Sequence, residues 1–268
     1  MNAEKPRNMT SNLAEYDGED RVISSHEMAL KLQDRPESIV NIKSYIPSLD
    51  IAMDGFREGE LIVLSGPTKQ GKTLLGQSLT AAFVRQQYYP LWFSFEVPIR
   101  QFLSQFREPA PLFYIPEKLK PHARLWFEER VKESFEKYHT RIIFCDHLHY
   151  LIDLARIRNP SIEIGQIIRR LKSLAVSGEF VIFLLCHTTK GATEDNLSFE
   201  SIRDSSFISQ ESDSVLMIKR TPQDGETTAR LRVEFHRRTG VMERIIKLRK
   251  VNGYLVEQVD DRYGDSDE

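Results

Sequence analysis

The residues Gly66-Pro67-Thr68-Lys69-Gln70-Gly71-Lys72-Thr73 place two glycines, a lysine and a hydroxyl at the spacing G-x-x-x-x-G-K-[ST]. Gly66 and Gly71 let such a loop wrap a phosphate with backbone N–H groups, and a helix starting behind it adds the positive end of its dipole. Lys72 then offers a point charge to β- and γ-phosphates, and Thr73 offers a hydroxyl to Mg²⁺. The chemistry this pattern serves is phosphoryl transfer from a nucleoside triphosphate such as ATP. Asp146 closes the apolar run Arg141-Ile142-Ile143-Phe144-Cys145 and is the candidate metal-facing acid; capping the next helix is its other reading. Glu96 closes Phe93-Ser94-Phe95 and is the candidate base for an attacking water; the alternative is a surface Glu ahead of a helix begun at Pro98. His187, after Val181–Cys186, can hydrogen-bond a γ-phosphate and report its loss to the following loop, or be a core histidine bonded to backbone.

These groups work together only if strand ends bring them to one edge. Strand-like runs at 60–64, 90–95, 141–145 and 180–186 alternate with helical runs at 73–87, 99–106, 122–138 and 162–177. Short apolar strands separated by helices predict parallel βαβ units, with a sheet buried on both faces. After Ser214 the pattern turns to β alone: 215–219, 227–235, 243–249 and 254–258 read as strands joined at Gly225, Gly240 and Gly253. The expected fold is therefore an α/β core, its mostly parallel sheet flanked by helices and extended by antiparallel strands. Residues 1–22 read as a polar arm, and 23–43 as a linker region whose short helix, capped at Ser25, must pack its apolar side on this domain or on a neighbouring subunit. The ATPase domain spans 44–259, and 260–268 form an acidic tail.

Composition excludes several classes. Of 268 residues, 40% are hydrophobic and 28% charged, so the chain is neither disordered nor collagen-like. Its longest apolar run, Phe180 to Cys186, falls far short of the ~18 residues a membrane helix needs, and MNAEKPRNMTSN has no signal-peptide core. No membrane partner is expected. Cys145 and Cys186 read as reduced core thiols of a cytoplasmic protein, in a bacterial or phage-infected cell. Net charge is −2, but its distribution is uneven. Ten Lys or Arg against four acids lie between Lys219 and Lys250, and five acids with one Arg follow between Asp260 and Glu268. That basic segment is either a phosphate-binding surface or a solvated strand face.

Several further segments carry a resemblance. Tyr45-Ile46-Pro47-Ser48-Leu49-Asp50 with Gly55 and Arg57-Glu58-Gly59-Glu60-Leu61, Phe93–Pro98, Ile143–Ile152, Leu185–Lys190, Ile202–Ser206 with Gln210 and Asp213, and His236-Arg237-Arg238-Thr239-Gly240 follow one another in the order of a known family. Over about residues 44–258 the chain resembles the RecA-like motor domain of DnaB-type replicative helicases, including the helicase half of phage primase-helicases. The resemblance implies a RecA-like P-loop NTPase core and a homo-oligomeric ring, usually of six subunits, that hydrolyses ATP at subunit interfaces and moves on single-stranded DNA. A primase or a loader is the further partner it suggests. It assigns Asp146 to the metal, Glu96 to catalysis, His187 to sensing, and Arg238 to a neighbour's nucleotide, with Arg237 as a second phosphate contact because His236 stands where the family has Lys. No amino-terminal collar and no primase zinc cysteines occur in this chain, which looks like a motor core alone.

The residues give partial support of their own. An arginine in an antiparallel hairpin cannot easily reach its own γ-phosphate but can reach a neighbour's, unless it is merely a surface charge. The polar stretches Arg156–Ser161 and Lys190–Arg203 follow active-site strands and would contact DNA through Lys190, Arg203, Arg156 or Arg158, or be ordinary solvated loops. A non-unwinding RecA-type ATPase in recombination, loading or regulation, and a nucleotide-dependent scaffold, are the competing functions.

Overall fold

The computed structural model describes residues 18, 21–33, 41–121, 124–151, 160–187, 205–221, 225 and 227–258. The chain divides between Ser38 and Ile39 into two compact units. In the first, α1 (Ser25–Gln33) is capped by Ser24 rather than Ser25: the Glu27 amide donates to Ser24 Oγ at 3.1 Å. None of its residues is buried, and Met28, Leu30 and Leu32 are exposed.

The second unit is built on one eight-stranded sheet, in the order β2-β3-β4-β1-β5-β6-β7-β8. Its strands are β1 (Leu61–Gly66), β2 (Leu91–Ser94), β3 (Ile142–Asp146), β4 (Val181–His187), β5 (Ser214–Arg220), β6 (Thr228–His236), β7 (Met242–Val251) and β8 (Tyr254–Glu257). The first five run parallel and the last three antiparallel, as the switch in sequence pattern predicts. β1, β2 and β3 are buried at every position because helices cover both faces. One face packs α2 (Pro47–Met53), α3 (Lys72–Arg85) and α4 (Ile99–Ser104); the other packs α5 (Arg124–Tyr138), α6 (Pro160–Gly178) and α7 (Ser205–Glu211).

The core beneath α3 is aromatic. Register sets Trp92, Phe144 and Phe183 side by side across β2, β3 and β4. Their rings stack, with centroids 4.4 Å and then 4.5 Å apart, each pair adding ~0.5–1.5 kcal/mol beyond burial. Trp92 Nε1–H donates to Thr80 Oγ1 of α3 at 2.9 Å, which pins the indole under that helix. Gly76 meets it there: a Cβ at this position would lie 2.7 Å from Trp92 Cη2. The helix behind the phosphate loop can approach the sheet this closely only without a side chain. Asp213 fixes the other end of β1, accepting the Leu61 amide at 2.7 Å and Lys172 Nζ at 2.7 and 2.9 Å.

Gly76→Ala is expected to lower stability by about 1–3 kcal/mol through overpacking against Trp92, although alanine favours an isolated helix by ~1 kcal/mol. Urea unfolding measures it, and an unchanged or raised midpoint would show that the pinned ring yields.

Candidate nucleotide site

β1, β2, β3 and β4 all end at one edge of the sheet, and each delivers one group there. After β1 the chain turns through Gly66–Gly71 into α3. Gly66 has φ 149°, and a Cβ on it would lie 2.2 Å from the Ile218 carbonyl oxygen of β5. The neighbouring strand, as well as the loop's own curvature, demands glycine there. Gly71, the residue before α3, has φ 103°, and Lys69 has φ 63°. Gln70 Oε1 accepts the Arg220 amide at 2.8 Å, tying the loop to the end of β5. Sequence patterning gave no sign of this tie, since the partners lie 150 positions apart.

Lys72 is 5% exposed and donates from Nζ to the carbonyls of Gly66 and Pro67, both at 2.9 Å. Among the described residues it has no ion pair. Burial pulls its pKa down, while Glu96, Asp146 and Cys186 oppose that. A buried ammonium held only by two carbonyls inside a loop of amides fits an anionic ligand. Thr73 Oγ1 donates to Asp146 Oδ2 at 3.0 Å, joining the loop to the end of β3. Asp146 is 1% exposed, and its pKa is raised to about 6 by burial and by Glu96, against the Thr73 hydrogen bond and Lys72. No group of three or more His, Cys, Asp or Glu among the described residues could cage a metal. A hydroxyl beside one carboxylate instead suits Mg²⁺, which keeps water and phosphate oxygens as its remaining ligands.

Glu96, just past β2, is more open, with its side chain 36% exposed. Its Oε2 lies 3.3 Å from His187 Nε2 at the end of β4. His187 has its pKa lowered by burial and by Lys72, which outweigh Glu96, so at neutral pH it is a neutral ring. Its Nδ1 has no hydrogen-bond partner among the described residues. The ring packs edge-on against His147, with centroids 4.2 Å apart, and His147 Nδ1 bonds the Leu185 carbonyl at 3.0 Å. His147, adjacent to Asp146, is not marked out by its spacing in the sequence. The structure thus gathers the loop residues 66–73, Glu96, Asp146 and His187 at one edge.

The arginines of the β6–β7 turn lie at the opposite end of the sheet. Ser214 at the start of β5 pairs with both Ile62, near the start of β1, and His236. His236 is 1% exposed, with Nδ1 2.8 Å from Thr239 Oγ1 and Nε2 3.4 Å from Glu60 Oε1. Arg238 spends its guanidinium in its own subunit: Nε donates to Glu60 Oε1 at 2.9 Å, Nη1 to Asp54 Oδ2 at 3.3 Å, and Nη2 to the Met53 and Gly55 carbonyls at 2.8 Å. Arg237 is exposed and donates to the Gln210 carbonyl. Lys190, Arg203, Arg156 and Arg158 lie outside the described residues.

A mostly parallel sheet with a phosphate loop after its first strand, an acid just past the second and an acid ending the third, defines a RecA-type P-loop ATPase fold. The model of the DnaB-like helicase C terminal domain matches residues 115–253, over half of the chain, and the protein belongs to that family. The matched stretch includes Asp146, His187 and the β6–β7 arginines; the phosphate loop and Glu96 precede it and stand on their own geometry. Among solved structures, one described as an ATPase domain superposes with a TM-score of 0.74 at 14% identity, covering 87% of this chain and 97% of that one. A DnaB-like replicative helicase, solved in a study of its interactions with primase, superposes with a TM-score of 0.72 at 15% identity, covering 89% and 68%. At such identities these likenesses establish the fold. Among the described residues no helix is long and apolar enough to cross a membrane.

The raised pKa of Asp146 sets a pH dependence for the nucleotide- and metal-free protein. Between the ordinary value of 3.8 and about 6 the folded state holds a proton that the unfolded chain has released, so stability falls with rising pH across that window and levels off above it. Asp146→Asn removes the buried charge. It is expected to melt at the wild-type temperature near pH 4 and above it at pH 8, a gain on the order of 2–3 kcal/mol at ~1.4 kcal/mol per pKa unit. Equal shifts at both pH values would show that Asp146 is not held protonated by the fold.

Proposed function

We infer that the protein is an ATP-driven DNA helicase or translocase that works as a ring on single-stranded DNA and hydrolyses ATP at subunit interfaces. The observation that carries the reading is the buried Lys72 ammonium, held at the mouth of a phosphate loop beside the Thr73–Asp146 pair and the Glu96–His187 pair. Residues 66–73 would bind the triphosphate, with Lys72 against its β- and γ-phosphates. Thr73 and Asp146 would hold Mg²⁺, which supplies charge neutralisation on those phosphates when bound. Glu96 would accept the proton of the attacking water, and His187, now 3.3 Å from it, would exchange that contact for the γ-phosphate and pass the change to the chain following β4. DNA contacts are assigned to Lys190, Arg203, Arg156 and Arg158. A primase or a loader remains the proposed partner, and the cytoplasm of a bacterial or phage-infected cell the proposed location.

The trans contact needs a movement. Arg238 faces Glu60, so to reach a neighbour's γ-phosphate it must trade Glu60, Asp54 and two carbonyls for the phosphate. Arg237 already projects from the surface and is the second candidate contact.

Strand displacement from a forked duplex, with and without ATP, tests the function; hydrolysis stimulated by single-stranded DNA without displacement would favour a non-unwinding ATPase. Glu96→Gln is expected to slow hydrolysis about 100-fold or more with nucleotide affinity preserved, whereas Lys72→Ala loses both binding and turnover. A Glu96→Gln protein that lost affinity but kept its turnover per bound nucleotide would make Glu96 structural. Arg238→Ala is expected to lose hydrolysis and also about 1–3 kcal/mol of stability, because Glu60 loses its paired guanidinium. Sedimentation with ATP, Mg²⁺ and single-stranded DNA is the check on the ring: a monomer hydrolysing at full rate would remove the trans role altogether.

A further inference from the structure

A groove between α3, β8 and the segment after α4 has a volume of about 580 Å³, within the ~300–1,000 Å³ range of ligand sites. None of the residues lining it belongs to the loop 66–73 or is Glu96, Asp146 or His187. Its floor is fixed, because the Leu255 amide of β8 donates to Ser78 Oγ of α3 at 2.9 Å. Tyr45 stands on its wall against its own backbone preference, with φ 58°, a left-handed conformation that few large residues adopt. Asp50 enforces it: Oδ2 accepts the Tyr45 amide at 3.0 Å, and Oδ1 accepts the Ser44 amide at 2.7 Å and Ser44 Oγ at 2.8 Å. The core makes little use of the residue so held, which is 49% exposed.

Two arginines share the groove with it. Gln86 ties the stretch before Tyr45 to the end of α3, accepting the Lys43 amide at 3.0 Å and donating to the Lys43 carbonyl at 2.8 Å. Arg85, in the last turn of α3, lines the groove beside that tie. Arg107 comes from the segment after α4 and meets the β7–β8 turn, where a Cβ on Gly253 would lie 3.8 Å from Arg107 Cβ. Both arginines are exposed, and among the described residues neither has a hydrogen bond or an ion pair. Glu108 is the only acid among the described residues that line the groove. An outward aromatic ring and two guanidiniums without a fixed partner match the two repeating parts of a nucleic-acid strand, the base and the phosphate. A small-molecule site would instead enclose its ligand and place a few polar groups to fix one orientation; here the ring and both cations are open to solvent.

We propose that this groove is a second site for single-stranded DNA, with a base stacked on Tyr45 and flanking phosphates on Arg85 and Arg107. The site gives the subunit a hold on a strand that uses none of the nucleotide-site residues, and it is additional to the DNA contacts assigned to Lys190, Arg203, Arg156 and Arg158. Tyr45 keeps its left-handed backbone because the ring is needed outside the core, where a smaller residue would fit the turn better.

Two measurements on the full-length protein test it. An oligothymidylate carrying 5-iododeoxyuridine should photo-cross-link to Tyr45, within the tryptic peptide Ser44–Arg57, and unlabelled oligothymidylate should compete the cross-link away. Cross-links found only at other residues would overturn the proposal. The second measurement is oligothymidylate binding by fluorescence anisotropy across a salt series. Arg85→Gln with Arg107→Gln should flatten the log–log salt slope by about 1.4, from ~0.7 for each of two lost phosphate contacts. Tyr45→Asn should weaken binding about 5-fold or more through lost stacking, while its melting temperature stays at or above that of wild type, since asparagine accepts a left-handed backbone. Tyr45→Trp should retain the affinity. Weakened binding accompanied by a lowered melting temperature in Tyr45→Asn, or equal loss in Tyr45→Trp, would make Tyr45 structural and overturn its role. Oligothymidylate binding with affinity and slope unchanged in all these variants would remove this site alone, whereas a protein that binds no oligothymidylate would remove it together with the helicase reading.

Discussion

The nucleotide site depends on keeping one ammonium charged inside the protein. Lys72 is buried, burial lowers its pKa, and its ammonium hydrogen-bonds, among the described residues, only two carbonyls of its own loop. What opposes neutralisation is the field of Glu96 and Asp146. Those carboxylates repel each other, and the repulsion contributes to the high pKa of Asp146. The three groups therefore form a set in which no member's charge state is fixed alone. On the proposed reading, a triphosphate with Mg²⁺ would bring anionic charge to the lysine and cationic charge to the aspartate, relieving both costs together. This explains why a parallel sheet is needed: only strands ending at a common edge can bring a lysine, an aspartate and a glutamate from separate βαβ units so close without a dedicated cage.

The opposite end of β1 meets the same difficulty in a different way. Glu60 is nearly buried, yet its pKa is lowered: burial would raise it, but hydrogen bonds from His236, the Arg57 amide and Arg238, together with the Arg238 charge, more than offset that. Asp213 beside it is satisfied by Lys172 and the Leu61 amide. Both of these carboxylates have a fixed counter-charge, whereas at the loop end the lysine has none among the described residues. One strand thus joins a closed electrostatic cluster to an open one.

Much of this was legible in the sequence because strands buried on both faces read as continuous apolar runs. All eight strands fall within a few residues of the expected positions, with Asp146 ending β3 and Glu96 two residues past β2. Short elements were less visible. α2 has seven residues and begins at Pro47, too short for an apolar period to show. α7 is also seven residues long and entered only through a family likeness. The Glu96–His187 and Gln70–Arg220 contacts join residues remote in sequence, and no local pattern encodes such a pair.

The aim of Arg238 shows most clearly what a one-dimensional pattern cannot carry. Side chains on a strand alternate, so Leu231 and Val233 in the core beneath α3 would ordinarily turn His236 toward the other face. The pairing of β5 with β6 is interrupted, however: Val215 pairs with Phe235 while Leu216 pairs with Val233, leaving Glu234 as an extra residue. A bulge of this kind reverses the alternation beyond it. Phe235 accordingly packs with the α5–α6 side, and His236 turns inward to Glu60. Thr239 Oγ1 then donates to the Ala52 carbonyl at 2.9 Å, and Arg238 to those of Met53 and Gly55, closing the end of α2. One inserted residue therefore turns the conspicuous His-Arg-Arg-Thr-Gly element from a projecting turn into a clasp on its own α2, with Arg237 left on the open side.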